Sequence, residues 1–132
     1  MLADPNLPKV VHRFPADLAN PKLRYSGIWS DGWLKRQASV VLAGGAAADM
    51  LLWAAVPPAP GGQVLQLLVN GRKLVVKKVA AGRLELRVPV PASRSPRRVE
   101  LRWASAPRLP APDGRSASAL LQFLGLVPRV SR

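Results

Sequence analysis

Four residues near the start of the chain have side chains that could recognise a small polar ligand. Tyr25, Trp29, Asp31 and Trp33 lie within nine consecutive positions around an Asp-Gly turn. An aromatic ring can stack on a pyranose ring while a nearby carboxylate accepts hydrogen bonds from sugar hydroxyls, so this spacing suits glycan binding. The alternative is structural, with both Trp rings filling the core beside a turn in which Asp-Gly supplies positive φ angles.

A second set of side chains could attract an anion. The 132 residues include 20 Lys and Arg against 7 Asp and Glu, which gives a net charge of +13. We predict a basic docking surface formed by Arg72, Lys73, Lys77, Lys78, Arg94, Arg97 and Arg98. Such a surface attracts nucleic acid, anionic lipid headgroups or an acidic protein. The alternative is that the base composition of the genome accounts for the arginines.

Nucleic-acid binding by this surface would lack a stacking contribution. Trp103 and Phe123 are the aromatic residues that follow Arg72, so the gain of about 1–3 kcal/mol per stacked base would be largely missing. What remains is attraction to the phosphate backbone, which weakens as salt is added. The sequence therefore predicts, at most, non-specific binding of nucleic acid.

No arrangement of residues predicts catalysis. The chain has no Cys, its one histidine is His12, and its carboxylates are scattered. Its glycine pairs lack the Lys-Ser and helix context of a phosphate-binding loop. The scattered carboxylates argue against a calcium site, for which Asp31 and Asp113 would be the candidate ligands. We predict a protein that is not an enzyme and holds neither a metal nor a cofactor.

The elements that must position these residues have the length of strands. Short apolar or alternating segments separated by turn residues are typical of an all-β sandwich or barrel. The predicted strands are Leu23–Trp29, Ala38–Ala43, Met50–Val56, Val64–Val69, Lys73–Val79, Leu84–Val88, Val99–Trp103 and Ala117–Val127. Asn70-Gly71 predicts a type I′ hairpin, and the prolines after Val88 are expected to end that strand. Alternation places Leu84, Leu86, Val88, Val99, Leu101 and Trp103 in the core, and Trp53 is expected there too.

The chain divides into two regions that differ in composition. Residues 1–22 contain four prolines and little periodicity, which predicts an extended arm lying across a surface. Residues 23–132 form the predicted sandwich domain. The first residues lack the apolar segment of a secretory signal, which indicates a cytoplasmic protein or one peripheral to a membrane; a processed fragment would be periplasmic. The longest uncharged run, residues 50–71, is interrupted by prolines, so no transmembrane segment is predicted.

Three motifs carry a resemblance to a known group of modules. They are the Ser26–Trp33 segment, the Val-Asn-Gly-Arg turn at residues 69–72, and Pro112-Asp-Gly-Arg115 leading into Leu120-Leu121. Together they resemble small bacterial carbohydrate-binding-like, galactose-binding-like jelly rolls, such as those appended to cell-surface glycosyltransferases and glycan-processing enzymes. The resemblance covers residues 23–127. It implies a jelly-roll-like β-sandwich serving as an accessory binding or packing domain, in which both Asp-Gly elements mainly shape the fold.

These observations together predict an all-β, two-sheet, jelly-roll-like sandwich of about eight strands with an extended Pro-rich arm. The expected function is that of a non-catalytic accessory subunit. It would dock through its arm and its basic surface onto a larger protein complex, including one associated with a membrane. Glycan binding at Trp29 and Trp33 is the first alternative, and non-specific nucleic-acid binding is the second.

Overall fold

The computed structural model describes residues 7–129, and its regular structure consists of β-strands with one short 3₁₀ helix at Ala16–Ala19. The strands are antiparallel. They are β1 (Val10–Val11), β2 (Arg24–Ile28), β3 (Trp33–Leu42), β4 (Ala48–Val56), β5 (Gln63–Val69), β6 (Arg72–Val79), β7 (Gly82–Val90), β8 (Arg97–Trp103) and β9 (Ala119–Pro128). The predicted all-β class is confirmed. The additional strand, β1, lies in the segment that the sequence indicated as an arm.

One sheet in the order β6-β5-β8-β3-β9-β4-β7 folds over on itself, with β2 added to β3 and β1 added to β9. Its two layers meet at the start of β3, where Trp33 and Leu34 pair with β9, whereas the rest of β3 pairs with β8. Buried residues from both layers belong to one hydrophobic cluster, so the inner faces pack against each other. The result is a nearly closed sandwich of the jelly-roll type, in which β6 and β7 are the ends of the path.

Alternate residues along the strands supply the core, as the period-two pattern predicts. Val99, Leu101 and Trp103 of β8 are all buried. In β7, Leu84 and Val88 are buried and Leu86 is half-buried. The largest fully buried apolar side chains of the described residues include Leu34, Leu42, Met50, Leu52, Leu65, Leu67, Leu101, Leu121 and Leu124.

The β5–β6 hairpin forms at the predicted turn. Asn70 and Gly71 have φ angles of 50° and 82°, as a type I′ turn requires. Asn70 also ties the hairpin to β8, because its N–H donates to the Arg98 carbonyl and its side-chain oxygen accepts from the Arg98 N–H, both at 2.8–2.9 Å. Further along, the register shifts between Leu67 and Leu68, which leaves one extra residue in β6.

The prediction that prolines end the strand after Val88 is wrong. β7 continues through Pro89 to Val90, and Pro89 pairs with Asp49 of β4. In the described residues β7 has β4 as its one neighbour in the sheet, so the missing N–H of a proline can face the open side. An edge strand therefore accommodates a proline that a central strand would not.

The last apolar segment is a two-sided strand, as predicted. β9 pairs along its length with β4, and on its other side with β3 and then with β1. The long uncharged run supplies β4 and β5. In the described part of the chain no helix has the length and apolar character that a membrane span needs.

Residues 7–22 of the predicted arm lie against the protein's own sheet. Val10 and Val11 pair with Gly125 and Leu124, and Val11 is completely buried. Phe14 and Leu18 pack on the core as partly buried residues. Residues 1–6 of the predicted arm lie outside the described residues, so this internal packing concerns the second part of the arm.

Candidate functional site

The predicted ligand-binding residues surround the turn between β2 and β3. The Gly32 N–H donates to the Trp29 carbonyl, and the Trp29 N–H donates to the Trp33 carbonyl, both at 2.9 Å. Gly32 has a φ of 97°, whereas Asp31 keeps a negative φ, so Gly32 alone provides the positive φ angle expected of Asp-Gly. The turn is thus a tight reversal that leaves the side chains of Trp29 and Asp31 at its tip.

Arg115 joins this turn to the loop before β9. Its Nη2 is 2.6 Å from Asp31 Oδ2, and its Nε is 2.8 Å from Asp113 Oδ1. Its guanidinium carbon is 5.0 Å from the centre of the Trp29 ring, and Lys35 Nζ is 5.4 Å from the same ring. The Trp29 ring therefore lies among cations, which interact favourably with an aromatic face.

The ion pairs of Arg115 determine the charge of this cluster. Hydrogen bonds from Arg115 lower the pKa of Asp31, and they lower the pKa of Asp113 to about 2. The same contacts raise the pKa of Arg115. Both carboxylates are ionised at neutral pH and share one guanidinium. They come together as a cation would require, but Arg115 occupies the position between them.

The four predicted residues are thus only partly brought together. Trp29 and Asp31 share the contacts of Arg115, whereas Tyr25 lies opposite Val40 on β2 and is 41% exposed. Trp33 is half-buried and pairs with Leu120. The sequence reasoning missed Lys35 and Arg115 as neighbours of Trp29. The second Asp-Gly pair, next to Arg115, was the available signal.

The basic residues of β6 form a separate surface, which we call the basic edge. It consists of Arg72, Lys73, Lys77 and Lys78, all of which are exposed. Val76, between them, is 58% exposed. In residues 7–129, β6 pairs with β5 alone, and its other edge forms no hydrogen-bonded pair with any strand. Within these residues no carboxylate lies within ion-pair distance of any of the four cations.

The acidic residues explain why the basic edge is left without carboxylates. Asp4 is outside the described residues, so six of the seven acidic side chains are described, and each contacts a cation elsewhere. Asp49 pairs with Arg87 at 2.7 Å, and Glu85 pairs with Arg83 at the same distance. Glu100 lies between Arg98 and Arg102. Four of the cations without a carboxylate partner in the described residues therefore lie together on β6.

Arg97 does not lie on the predicted basic surface, because it is buried, with 2% of its surface exposed. Its guanidinium donates to the carbonyls of Ala43, Gly45, Ala46 and Pro91 at 2.8–3.1 Å. Burial lowers its pKa. Arg97 thus joins the loop after β3 to the loop after β7. Of the other predicted residues, Arg94 and Arg98 are exposed, and Arg98 is 3.5 Å from Glu100.

The sequence predicts Trp53 in the core, but the structure does not fully enclose it. It is half-buried, its ring centre is 5.2 Å from that of Phe123, and the guanidinium of Arg83 lies 5.8 Å away. The centre of the Phe123 ring is also 5.8 Å from that of the His12 ring. These rings cover the outer face of the β9-β4-β7 layer, since the inner positions of β4 are taken by residues such as Leu52.

Among the described residues, His12 contacts an acid but not a nucleophile. Its Nδ1 is 3.5 Å from Asp17 Oδ2, and the same carboxylate oxygen accepts the main-chain N–H groups of His12 and Arg13. Burial raises the pKa of Asp17, but these hydrogen bonds and charges outweigh it, so the net effect lowers the pKa. Within residues 7–129 no hydroxyl is hydrogen-bonded to the imidazole, and no three acidic or histidine side chains gather as a metal site requires.

Comparisons with known proteins support the fold. No protein-family model matches this sequence, and no curated protein matches it either. The structure is similar to that of an acetyl xylan esterase (Est2A) from the rumen bacterium Butyrivibrio proteoclasticus, with a TM-score of 0.53 and 16% sequence identity. The match covers 94% of this chain and 35% of that chain, so this chain spans about a third of the esterase. At this identity the likeness concerns the β-sandwich fold alone.

Proposed function

We propose that this protein is a non-catalytic interaction module that docks onto an acidic protein surface in a larger assembly. The observation that carries the proposal is the basic edge, whose four cations are exposed and have no carboxylate partner among the described residues. Exposed cations of one sign attract an oppositely charged partner and orient it during encounter. A partner that supplies carboxylates would complete the ion pairs that this chain leaves unmade.

The proposal places docking on β6 and not on the arm. The second part of the arm is used internally, because Val11 is buried and pairs with β9. Removing residues 1–22 would therefore expose core surface as well as remove any docking contacts. Charge reversal on β6 is a cleaner test, since those side chains are exposed and make no ion pair in the described structure.

The test compares two triple variants with the same net charge. One carries Lys73→Glu, Lys77→Glu and Lys78→Glu, and the control carries Arg24→Glu, Arg36→Glu and Arg108→Glu, three exposed arginines on other elements. Three exposed ion pairs at roughly 0.2–1 kcal/mol each amount to about 0.6–3 kcal/mol, so reversing the three cations should weaken binding of polyglutamate by at least about threefold. The parent protein, when immobilised, should retain its partner from an extract of the native source, and the immobilised β6 variant should not.

The control variant should keep most of its affinity for polyglutamate, and both variants should unfold at the same urea concentration as the parent protein. Equal losses in the two variants would contradict the proposal, because the attraction would then depend on net charge alone. An oligonucleotide or phosphatidylserine vesicles could bind more strongly than polyglutamate and lose binding to the same extent in the β6 variant. That result would also contradict the choice of an acidic protein as partner.

A second candidate function is glycan binding at Trp29. Two observations favour it: the half-buried Trp29 ring lies at the tip of a turn beside Asp31 and Arg115, and the similar structure belongs to an acetyl xylan esterase. Aromatic stacking combined with guanidinium and carboxylate hydrogen bonds is the usual chemistry of such sites. Tryptophan fluorescence should change on titration with xylan oligosaccharides, and Trp29→Ala should abolish the change. An unchanged spectrum across a broad glycan set would remove this candidate.

A further inference from the structure

The sheet ends in two edge strands, β6 and β7, which differ in how strongly they oppose pairing with a further strand. β7 contains Pro89, and its charged residues are paired, Arg83 with Glu85 and Arg87 with Asp49. β6 contains no proline, and its cations have no carboxylate partner in the described residues. Both features of β7 oppose the addition of another strand, because proline lacks a donor and paired charges offer no electrostatic gain. β6 has neither obstacle.

We propose that the outer side of β6 accepts an extended acidic segment of the partner protein as an additional antiparallel strand. This inference rests on the docking function proposed above and specifies how the partner binds. The exposed main-chain N–H and C=O groups of an edge strand are a template for such pairing, and the cations decide which strand can use it.

The charge pattern of β6 makes the edge selective. Lysines on an edge strand normally prevent pairing, because a second strand of the same kind brings like charges together. That argument applies to another copy of this chain, whose β6 would place four cations against four. For an acidic strand the same cations become attractive, since opposite charges on facing residues stabilise a cross-strand pair. The basic edge therefore disfavours the pairing of two β6 strands and favours an acidic partner.

The register of β6 specifies the partner's side chains. Lys77 lies opposite the inward-facing Leu65, so it is on the inner face of the sheet, where its place on the edge strand leaves it exposed, whereas Lys78 and Val76 point to the outer face. The register jumps from Lys73 to Val75, so Leu74 is the extra residue of the bulge. An antiparallel segment that matches this order has the sequence Val-Glu-Glu-Val-Val-Glu-Glu. It would face, in turn, Val79, Lys78, Lys77, Val76, Val75, Lys73 and Arg72.

The experiment uses this seven-residue peptide, with blocked ends and a fluorescent label, and the full-length protein. A second peptide has the same sequence but is N-methylated at alternate residues, so that it keeps every charge and loses the hydrogen bonds of one edge. A third has the same composition in scrambled order. Binding is followed by fluorescence anisotropy at low salt, and hydrogen exchange of the main-chain amides of β6 is measured with and without peptide.

We expect the first peptide to bind, the N-methylated peptide to bind at least about tenfold more weakly, and the exchange of amides in Val75–Val79 to slow. Lys77→Glu should weaken binding of the first peptide and leave the fold intact, which an unchanged urea midpoint of the variant would confirm. Equal affinities of the normal and N-methylated peptides, or unchanged exchange in β6, would overturn strand addition while leaving acidic docking in place. Failure of all three peptides and of polyglutamate would overturn both proposals.

Discussion

Replacing Arg97 by methionine should destabilise the fold far more than the same change at its neighbour Arg98. The guanidinium of Arg97 donates to four main-chain carbonyls that belong to two separate loops, and the side chain is 2% exposed. Methionine retains an apolar stem of similar length but provides no donor. Arg98 is adjacent in sequence and exposed, and it makes a single ion pair of 3.5 Å, so Arg98→Met is a matched control.

The magnitude follows from what each carbonyl keeps after the change. The Gly45 carbonyl still accepts the Ser93 N–H at 2.8 Å. Ala46 and Pro91 are exposed, so water can partly replace the arginine there, whereas Ala43 is buried. A hydrogen bond to a charged donor contributes about 1.5–3 kcal/mol, so losing the buried Ala43 bond together with part of the other three amounts to about 3–5 kcal/mol. Relief of the buried charge offsets part of this loss, but the main-chain acceptors cannot be removed with it.

We therefore expect Arg97→Met to lower the free energy of unfolding by about 3–5 kcal/mol, out of the roughly 5–15 kcal/mol typical of a domain. With a urea dependence of about 2 kcal/mol per molar, the midpoint should fall by about 2 M in a tryptophan-fluorescence titration. The urea midpoint of Arg97→Lys should lie between those of the parent protein and Arg97→Met, because lysine keeps the charge but not the planar donor geometry. Arg98→Met should change the unfolding free energy by less than about 1 kcal/mol. A midpoint for Arg97→Met within about 0.3 M of the parent would refute this account.

Two further predictions concern the Asp-Gly turn and its neighbouring strand. Arg115 lowers the pKa of Asp31 and Asp113, the latter to about 2, from the ordinary value of 3.8, so the stability from these pairs is complete above about pH 4 and is lost as the pH falls towards 2. Arg115→Gln should flatten the pH dependence of the urea midpoint in that window, and an unchanged slope would contradict the ion-pair assignment. Gly27→Ala should destabilise the fold by more than about 2 kcal/mol, because φ is 73° and the added Cβ meets the main chain of Gln37. Gly71→Ala, with a φ of 82° and open space around it, should cost only about 1 kcal/mol, and equal losses would show that the contact is unimportant.

Much of the fold could be predicted because its signals are local. Asn70-Gly71 specifies a turn type through two φ angles, and the alternation in β8 specifies which side chains are buried without reference to any distant residue. The prediction for β7 was wrong at one point, Pro89, because tolerance of proline depends on whether a strand lies at an edge. Position in the sheet is a property of strand order, which local patterns do not contain.

The candidate sites depended on contacts between distant parts of the chain. Asp31 and Arg115 are 84 residues apart, and no local pattern indicates that a shared guanidinium occupies the space between Asp31 and Asp113. Arg97 and Arg98 are neighbours of the same type, yet the pleat directs one to the interior and the other to the surface. Trp53 lies on the outer side of its strand for the same reason, although its neighbours are apolar.

The amino-acid order by itself determined the β class, the hairpin at Asn70-Gly71 and the excess of positive charge, since each depends on neighbouring residues or on composition. The tertiary structure decided which of those charges are neutralised. Folding brings every described carboxylate to a cation outside β6, and it leaves β6 at the end of the sheet with its cations exposed. Charge pairing acts through space and not along the chain, so the basic edge depends on how the folded strands lie side by side.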